Sequence, residues 1–144
     1  MVAVVVTRNP GRFLESALGA LRTQDYPDLS VVVVDAGSAT DPSARVAAAI
    51  PEAYVHRLGE TRPGFGGAVN EALGVADGAT FYLVCHDDVV LAPDALRLLV
   101  EEAYRSNAGI AGPKLVSAED QEVLLVELAR AERTVVVGQA HRVA

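Results

Sequence analysis

The chain predicts an α/β domain on a largely parallel sheet, and three observations predict it. Short β-branched runs alternate with helical stripes, most of the strand runs are apolar on both faces, and the connections are short. Strands covered by helices on two sides look like this, because neither face meets water. A β-α-β-α series with short connections is the pattern of a parallel sheet. The first strand is read over 2–6, Val2-Ala3-Val4-Val5-Val6. Asn9-Pro10-Gly11 then breaks the chain before Phe13, Leu14, Ala17, Leu18 and Leu21, which fall on one helical stripe. A second strand over 31–35 is closed by Gly37-Ser38-Ala39-Thr40-Asp41-Pro42, and a third is read over 54–58. Arg62-Pro63-Gly64-Phe65-Gly66-Gly67 opens a helix with Ala68, Val69, Ala72, Leu73 and Ala76 on one stripe. Ala76-Asp77-Gly78 precedes a fourth strand over 81–85. Pro93-Asp94 opens the next helix, with Leu96, Leu99, Val100 and Ala103 inward, and a fifth strand is read over 109–112. Beyond it, 119–133 reads as an amphipathic helix with Leu124, Leu125, Leu128 and Ala129 on one side, and 134–137 as a closing strand.

A chain of 144 residues with 51% hydrophobic and 22% charged residues is one folded domain's worth. The net charge is −7 and Lys and Arg never cluster, which excludes a nucleic-acid footprint. An acidic protein that binds phosphates has to recruit positive charge locally, from a metal or a few arginines. The single cysteine, Cys85, excludes an internal disulfide and a cysteine-based zinc cluster, and its place in a core strand makes it a buried structural thiol. The run 2–6 is too short for a signal segment, and no stretch approaches the roughly 20 apolar residues that span a bilayer. The expected location is cytoplasmic, or the inner face of the membrane where the chain forms part of a longer protein.

Chemistry is expected where the fourth strand ends. Tyr82-Leu83-Val84-Cys85-His86 runs straight into Asp87-Asp88. Strand ends on one edge of an open parallel sheet converge on the crevice where such folds bind ligands. Two adjacent carboxylates repel one another unless a cation or hydrogen-bond donors share the charge. A divalent cation, Mg²⁺ or Mn²⁺, bridging them to substrate phosphates supplies that compensation. The same edge collects Thr7, Arg8 and Asn9 after the first strand, and Asp35, Gly37 and Ser38 after the second. It also collects the glycine turn with Gly64 and Gly66, whose helix carries Asn70. Asp35 is a candidate acceptor for a base edge or ribose hydroxyl, and the glycine turn lets backbone approach an anion. Each has a plainer reading: a cap or turn residue for Asp35, close helix packing for the glycines, a solvated turn for the acid pair. Arg8 and Arg62 are candidate phosphate contacts or solvated loop charges, and His56 and His141 read as surface or packing residues.

Taken in order, five blocks carry a resemblance. They are Val4-Val5-Val6-Thr7-Arg8-Asn9, Leu21-Arg22-Thr23-Gln24-Asp25-Tyr26-Pro27 and Val33-Val34-Asp35-Ala36-Gly37-Ser38, then Gly64-Phe65-Gly66-Gly67-Ala68-Val69-Asn70 and His86-Asp87-Asp88-Val89-Val90-Leu91-Ala92-Pro93-Asp94-Ala95-Leu96. Together they resemble the family 2 glycosyltransferases, over roughly residues 2–117. The resemblance implies a GT-A fold, a three-layer α/β/α sandwich, here shortened. By this resemblance residues 1–117 are expected to form the nucleotide-sugar-binding core, with 118–144 a C-terminal helix and strand segment to which no role is assigned. It implies transfer of a sugar from a nucleotide-diphosphate sugar, with inversion and a divalent metal, to an acceptor that is a glycan, a lipid or a polyprenyl-linked sugar, in cell-wall or polysaccharide biosynthesis. Thr7, Asn9, Asp35, Gly37, Ser38, Gly64, Gly66, Asn70 and Asp87 are then the donor-binding residues. Asp88, at the last acid of the family's Asp-X-Asp motif, takes the metal, with Asp87 as a second candidate. His86 stands where that motif's first acid is common, and Val69 where an arginine is frequent. The resemblance supplies no general base from these residues, so a non-catalytic donor-binding module is the alternative. A phosphoacceptor receiver domain needs its acid pair after the first strand, where Thr7-Arg8-Asn9 stands, although Lys114 would suit its lysine. A dinucleotide-binding domain needs Gly-x-Gly-x-x-Gly after Val6, which is absent. A shortened domain with core surface uncovered is expected to self-associate.

Overall fold

The computed structural model describes residues 1–59, 63–115 and, as backbone, 136–139. Its sheet has the order β3-β2-β1-β4-β6-β5. The strands are β1 (Val2–Thr7), β2 (Ser30–Asp35), β3 (Tyr54–Arg57), β4 (Phe81–His86), β5 (Ile110–Ala111) and β6 (Val136–Gln139). β1 pairs in parallel with β2 and β4, and β2 with β3, while β6 runs antiparallel between β4 and β5. The expected strands are all present with shifted ends. β1 and β4 each run one residue further, to Thr7 and His86, so polar residues complete their ladders. β5 is shorter than 109–112. The closing strand lies at Val136–Gln139 rather than 134–137, and the helix read over 119–133 lies outside the described residues.

Four helices connect the strands: α1 (Leu14–Arg22), α2 (Ser43–Ala49), α3 (Phe65–Val75) and α4 (Ala95–Ser106). α1 buries Leu14, Ala17, Leu18 and Leu21, a spacing of three and four residues that makes one stripe, and leaves Phe13 outside it. α4 buries Leu96, Leu99, Val100 and Ala103 in the same way. It stops at Asn107, whose left-handed backbone (φ 51°) lets the Ala108 amide donate to Ala103 O at 2.9 Å. α3 buries only Ala68 and Ala72, small side chains that let the helix lie close to the sheet. α2 is an element that the sequence reading did not single out. It has seven residues and buries only Val46, so it carries almost no stripe.

Alternation along the strands divides the core into two. Ala3, Val5, Val31, Val33, Leu83 and Cys85 pack against α1, α2 and α4 through Leu18, Val46 and Leu96. Val4, Val6, Val32 and Val34 pack against Ala68 and Ala72 of α3. Helices thus cover both faces, giving the expected three-layer α/β/α arrangement, and both-sided burial explains the unbroken valine runs. Among the described residues no helix is long and apolar enough to cross a membrane.

Candidate functional site

Strand register sets the site. Thr7 lies opposite Asp35, and Asp35 opposite Arg57, at the last rungs of β1, β2 and β3. On the other side Val6 pairs with His86, which brings Asp87 level with Thr7. The Thr7 hydroxyl donates to Asp87 Oδ2 at 2.6 Å. The strand ends therefore form one row, Arg57, Asp35, Thr7 and Asp87, along the carboxyl edge of the parallel strands.

Asp35 is 1% exposed, and both of its oxygens are engaged. Oδ1 accepts from the Ser38 amide at 2.8 Å and Oδ2 from Arg57 Nε at 2.9 Å. Gly37, at φ 90°, provides the left-handed turn that carries the Ser38 amide back to the strand end, where a side chain would be strained. Ser38 Oγ accepts from the Asn9 amide at 2.7 Å, and Asn9 Oδ1 accepts from the Ala39 amide at 2.8 Å, lacing the loops after β1 and β2 together. Burial pushes the Asp35 carboxyl up, but hydrogen bonds from Ser38 and Arg57 outweigh it and hold it below the ordinary carboxylate range. Asp35 is therefore no open acceptor: a ligand at this edge meets an Asp35–Arg57 pair.

Arg57 is the residue that sequence reasoning missed. Its guanidinium also donates from Nη1 to Asp41 Oδ2 at 3.1 Å. An arginine ending a strand reads as a solvated charge, and only the register beside Asp35 reveals its use. Arg45 is a second missed cation. It donates to Pro10 O at 3.0 Å, Gly11 O at 2.8 Å and the Glu15 carboxylate at 2.6 Å, fixing the loop after Asn9. The Glu15 hydrogen bond first, and the charge of Asp87 among lesser causes, raise the basicity of Arg45, so positive charge does lie near the acid pair.

Thr7 and Asp87 thus form one hydrogen-bonded pair, and Asn9, Ser38, Asp35 and Arg57 a second set beside it, shaped by Gly37, on the same edge. The glycine turn approaches it from the other face of the sheet: Gly64 is the N-cap of α3, and Phe65 stacks on His86 with ring centroids 4.2 Å apart. Gly66 and Asn70 are exposed on α3, and among the described residues the Asn70 side chain makes no hydrogen bond to the row. Asp88 follows Asp87 directly, half-buried, with Oδ1 shielded from solvent. Among the described residues no three His, Cys, Asp or Glu side chains converge as a closed metal site. Two adjacent carboxylates suit a hard cation whose remaining ligands are phosphate oxygens and water, as Mg²⁺ and Mn²⁺ are often held. Arg8 is exposed, His56 lies half-buried on β3, and Lys114 is exposed, while Arg62, Glu119, Asp120 and His141 lie outside the described residues. Cys85 is buried, and burial pushes its thiol up to about 12, with the charge of Asp87 adding to it.

This fold, with its strand-end loops gathered on one edge, is that of the GT-A class. The chain belongs to glycosyl transferase family 2, whose pattern matches residues 2–141. Over 109 residues it is 36% identical to the succinoglycan biosynthesis protein ExoO of Rhizobium meliloti (strain 1021), covering 75% of this chain and 31% of that protein. It superposes on the mannosyltransferase PcManGT from Pyrobaculum calidifontis, solved in complex with GDP-Man and Mn²⁺, with a TM-score of 0.63 and 31% identity, covering 76% of this chain and 33% of that one. It likewise resembles residues 1–349 of S. aureus TarS in complex with UDP-GlcNAc, with a TM-score of 0.63 and 27% identity, over 76% of this chain and 32% of that one. The chain spans about a third of the length of these relatives.

Proposed function

We propose that the chain binds the nucleotide-diphosphate sugar donor of an inverting, metal-dependent glycosyl transfer in polysaccharide or cell-wall biosynthesis. The observation that carries this reading is the row of Arg57, Asp35, Thr7 and Asp87 beside Asp88 on one sheet edge, in a member of this family. Relatives solved with GDP-Man and Mn²⁺ and with UDP-GlcNAc support it. In this reading Thr7, Asn9 and the Asp35–Arg57 pair with Gly37 and Ser38 face the base and ribose. The segment 64–70, with Gly64, Gly66 and Asn70, lines the same side of the donor. Asp87 lies by the ribose or sugar, and Asp88 holds the divalent cation.

When bound, that cation supplies positive charge to the diphosphate as it leaves. The chain's own residues do the rest on the donor side. The Thr7 hydroxyl fixes one oxygen of Asp87, so the acid pair meets the ligand in one orientation. The hydrogen bonds from Ser38 and Arg57 keep Asp35 ionised where it lies buried. An acceptor hydroxyl attacks the anomeric carbon from the side opposite the diphosphate, the new C–O bond forming as the bond from that carbon to the diphosphate oxygen breaks, and the hydroxyl proton passes to a base or to water. We assign no general base among the described residues. A second reading is donor binding without transfer, and nucleotide titration set beside donor turnover decides between the two.

Calorimetric titration with UDP, GDP and dTDP, with and without Mn²⁺, tests the proposal. Manganese should strengthen binding of at least one of them, and Asp88→Ala should weaken that binding by about tenfold or more, ~1.4 kcal/mol. Manganese-dependent affinity left intact in Asp88→Ala would defeat the assignment. Hydrolysis or transfer from the bound donor separates the enzyme from the binding module.

A further inference from the structure

The segment leaving the acid pair is irregular yet partly buried. Residues 89–94 form no helix or strand, but Val89 and Leu91 sit in the core cluster with Leu14, Leu18 and Leu21 of α1. Buried backbone outside a ladder has to find other partners for its N–H and C=O groups. Where the segment surfaces again, at the exposed Ala92 and Pro93, its carbonyls are held by residues just past the far end of α1. Gln24 Nε2 donates to Ala92 O at 2.7 Å and to Ala20 O at 3.1 Å, while its Oε1 accepts from the Leu96 amide at 3.1 Å. The Asp25 amide donates to Pro93 O at 2.9 Å, and its carboxylate accepts from Arg97 Nε at 2.9 Å.

Leu96 is the second residue of α4, so its amide has no partner within the helix. Asp94, at the N-cap, makes no side-chain capping bond. Gln24 supplies the cap instead, from 72 residues away. Only a side-chain amide serves this geometry, because it carries donor and acceptor on one planar group. Glutamate at this position would set a carboxylate oxygen against the Ala20 and Ala92 carbonyls, and methionine would do neither task.

We propose that Gln24 is a positioning residue for the cation-binding turn. Asp87 and Asp88 lie on a short loop with two fixed ends. One end is His86, held in register with Val6 of β1; the other is the stretch from Ala92 to Leu96, held by Gln24 together with the Asp25 amide on Pro93 O, beyond the buried Val89 and Leu91. Releasing the second end lets the loop, and Asp88 with it, leave the geometry that a cation shared with phosphates requires. The loss falls on the cation-dependent part of nucleotide affinity and spares the contacts of Thr7, Asn9 and the Asp35–Arg57 pair, which β1, β2 and β3 hold independently. This inference rests on the donor-binding reading and adds to it a residue far from the ligand.

The test is titration of the full chain with UDP and GDP, in Mn²⁺ and separately in EDTA. In Gln24→Glu and Gln24→Met, affinity in Mn²⁺ should fall by about tenfold while affinity in EDTA stays within about twofold of the parent. Arg97→Ala, which severs the exposed pair to Asp25 and leaves the Gln24 bonds intact, should keep the parent ratio. The inference is overturned if the Gln24 variants keep the parent ratio whatever their melting temperatures, or if Arg97→Ala loses it equally. A parent chain whose nucleotide binding ignores Mn²⁺ overturns the donor reading itself, and this inference with it.

Discussion

Asp35 buries its carboxylate and stays ionised because hydrogen bonds from Ser38 and from Arg57 outweigh the cost of leaving water. That balance has a pH signature. The folded carboxyl lies below its unfolded value of about 3.9, so its stabilising contribution is complete above that value and lost as pH falls through the folded one. Asp35→Asn should therefore cost about 1–3 kcal/mol at neutral pH and lose less stability than the parent between about pH 4 and pH 2. Urea unfolding at each pH measures both, and parallel acid profiles would count against the assignment. Cys85 makes a second test. With its thiol pushed up to about 12, it should resist a disulfide reagent at pH 7 in the folded chain and react at once in denaturant. The acid pair and Cys85 were legible in sequence because residue type and strand position alone define their environment. Arg57 and Gln24 were not. Their roles depend on which rung lies beside Asp35 and which loop meets the end of α1, and neither partner is a sequence neighbour.

At the level of elements, legibility followed the strength of the apolar pattern. β1 and β2 are valine runs buried on both faces, and α1 and α4 have full stripes, so each was readable with ends shifted by a residue or so. α2 escaped because Ser43–Ala49 is mostly alanine and anchors through Val46. The same contrast predicts mutational cost. Leu18, fully buried between α1 and the sheet, should cost about 2–5 kcal/mol as Leu18→Ala. Leu73, on the outer side of α3 and 37% exposed, should cost about 0.5 kcal/mol or less as Leu73→Ala. Chemical denaturation of both variants decides it: similar losses would mean that the core does not lie where the alternation puts it.

For the whole molecule, the parallel run of β1 to β4 could be anticipated from strands that end in polar loops on one side, although their order β3-β2-β1-β4 could not. The antiparallel insertion of β6 between β4 and β5 could not, since no local feature states which edge a distant strand joins. Exposed Tyr104 and Ile110, the latter 69% accessible on the short β5 strand, keep the expectation of self-association open to measurement. Light scattering at rising concentration should show species larger than a monomer, and a clean monomer throughout would refute it. The place of β6 also bears on synthesis. A nascent chain presents β4 and β5 before the strand that joins them exists, and until residues 136–139 leave the ribosome the outer flank of β4 is an unzipped seam. Chaperones, or a second nascent copy, have that interval in which to reach it.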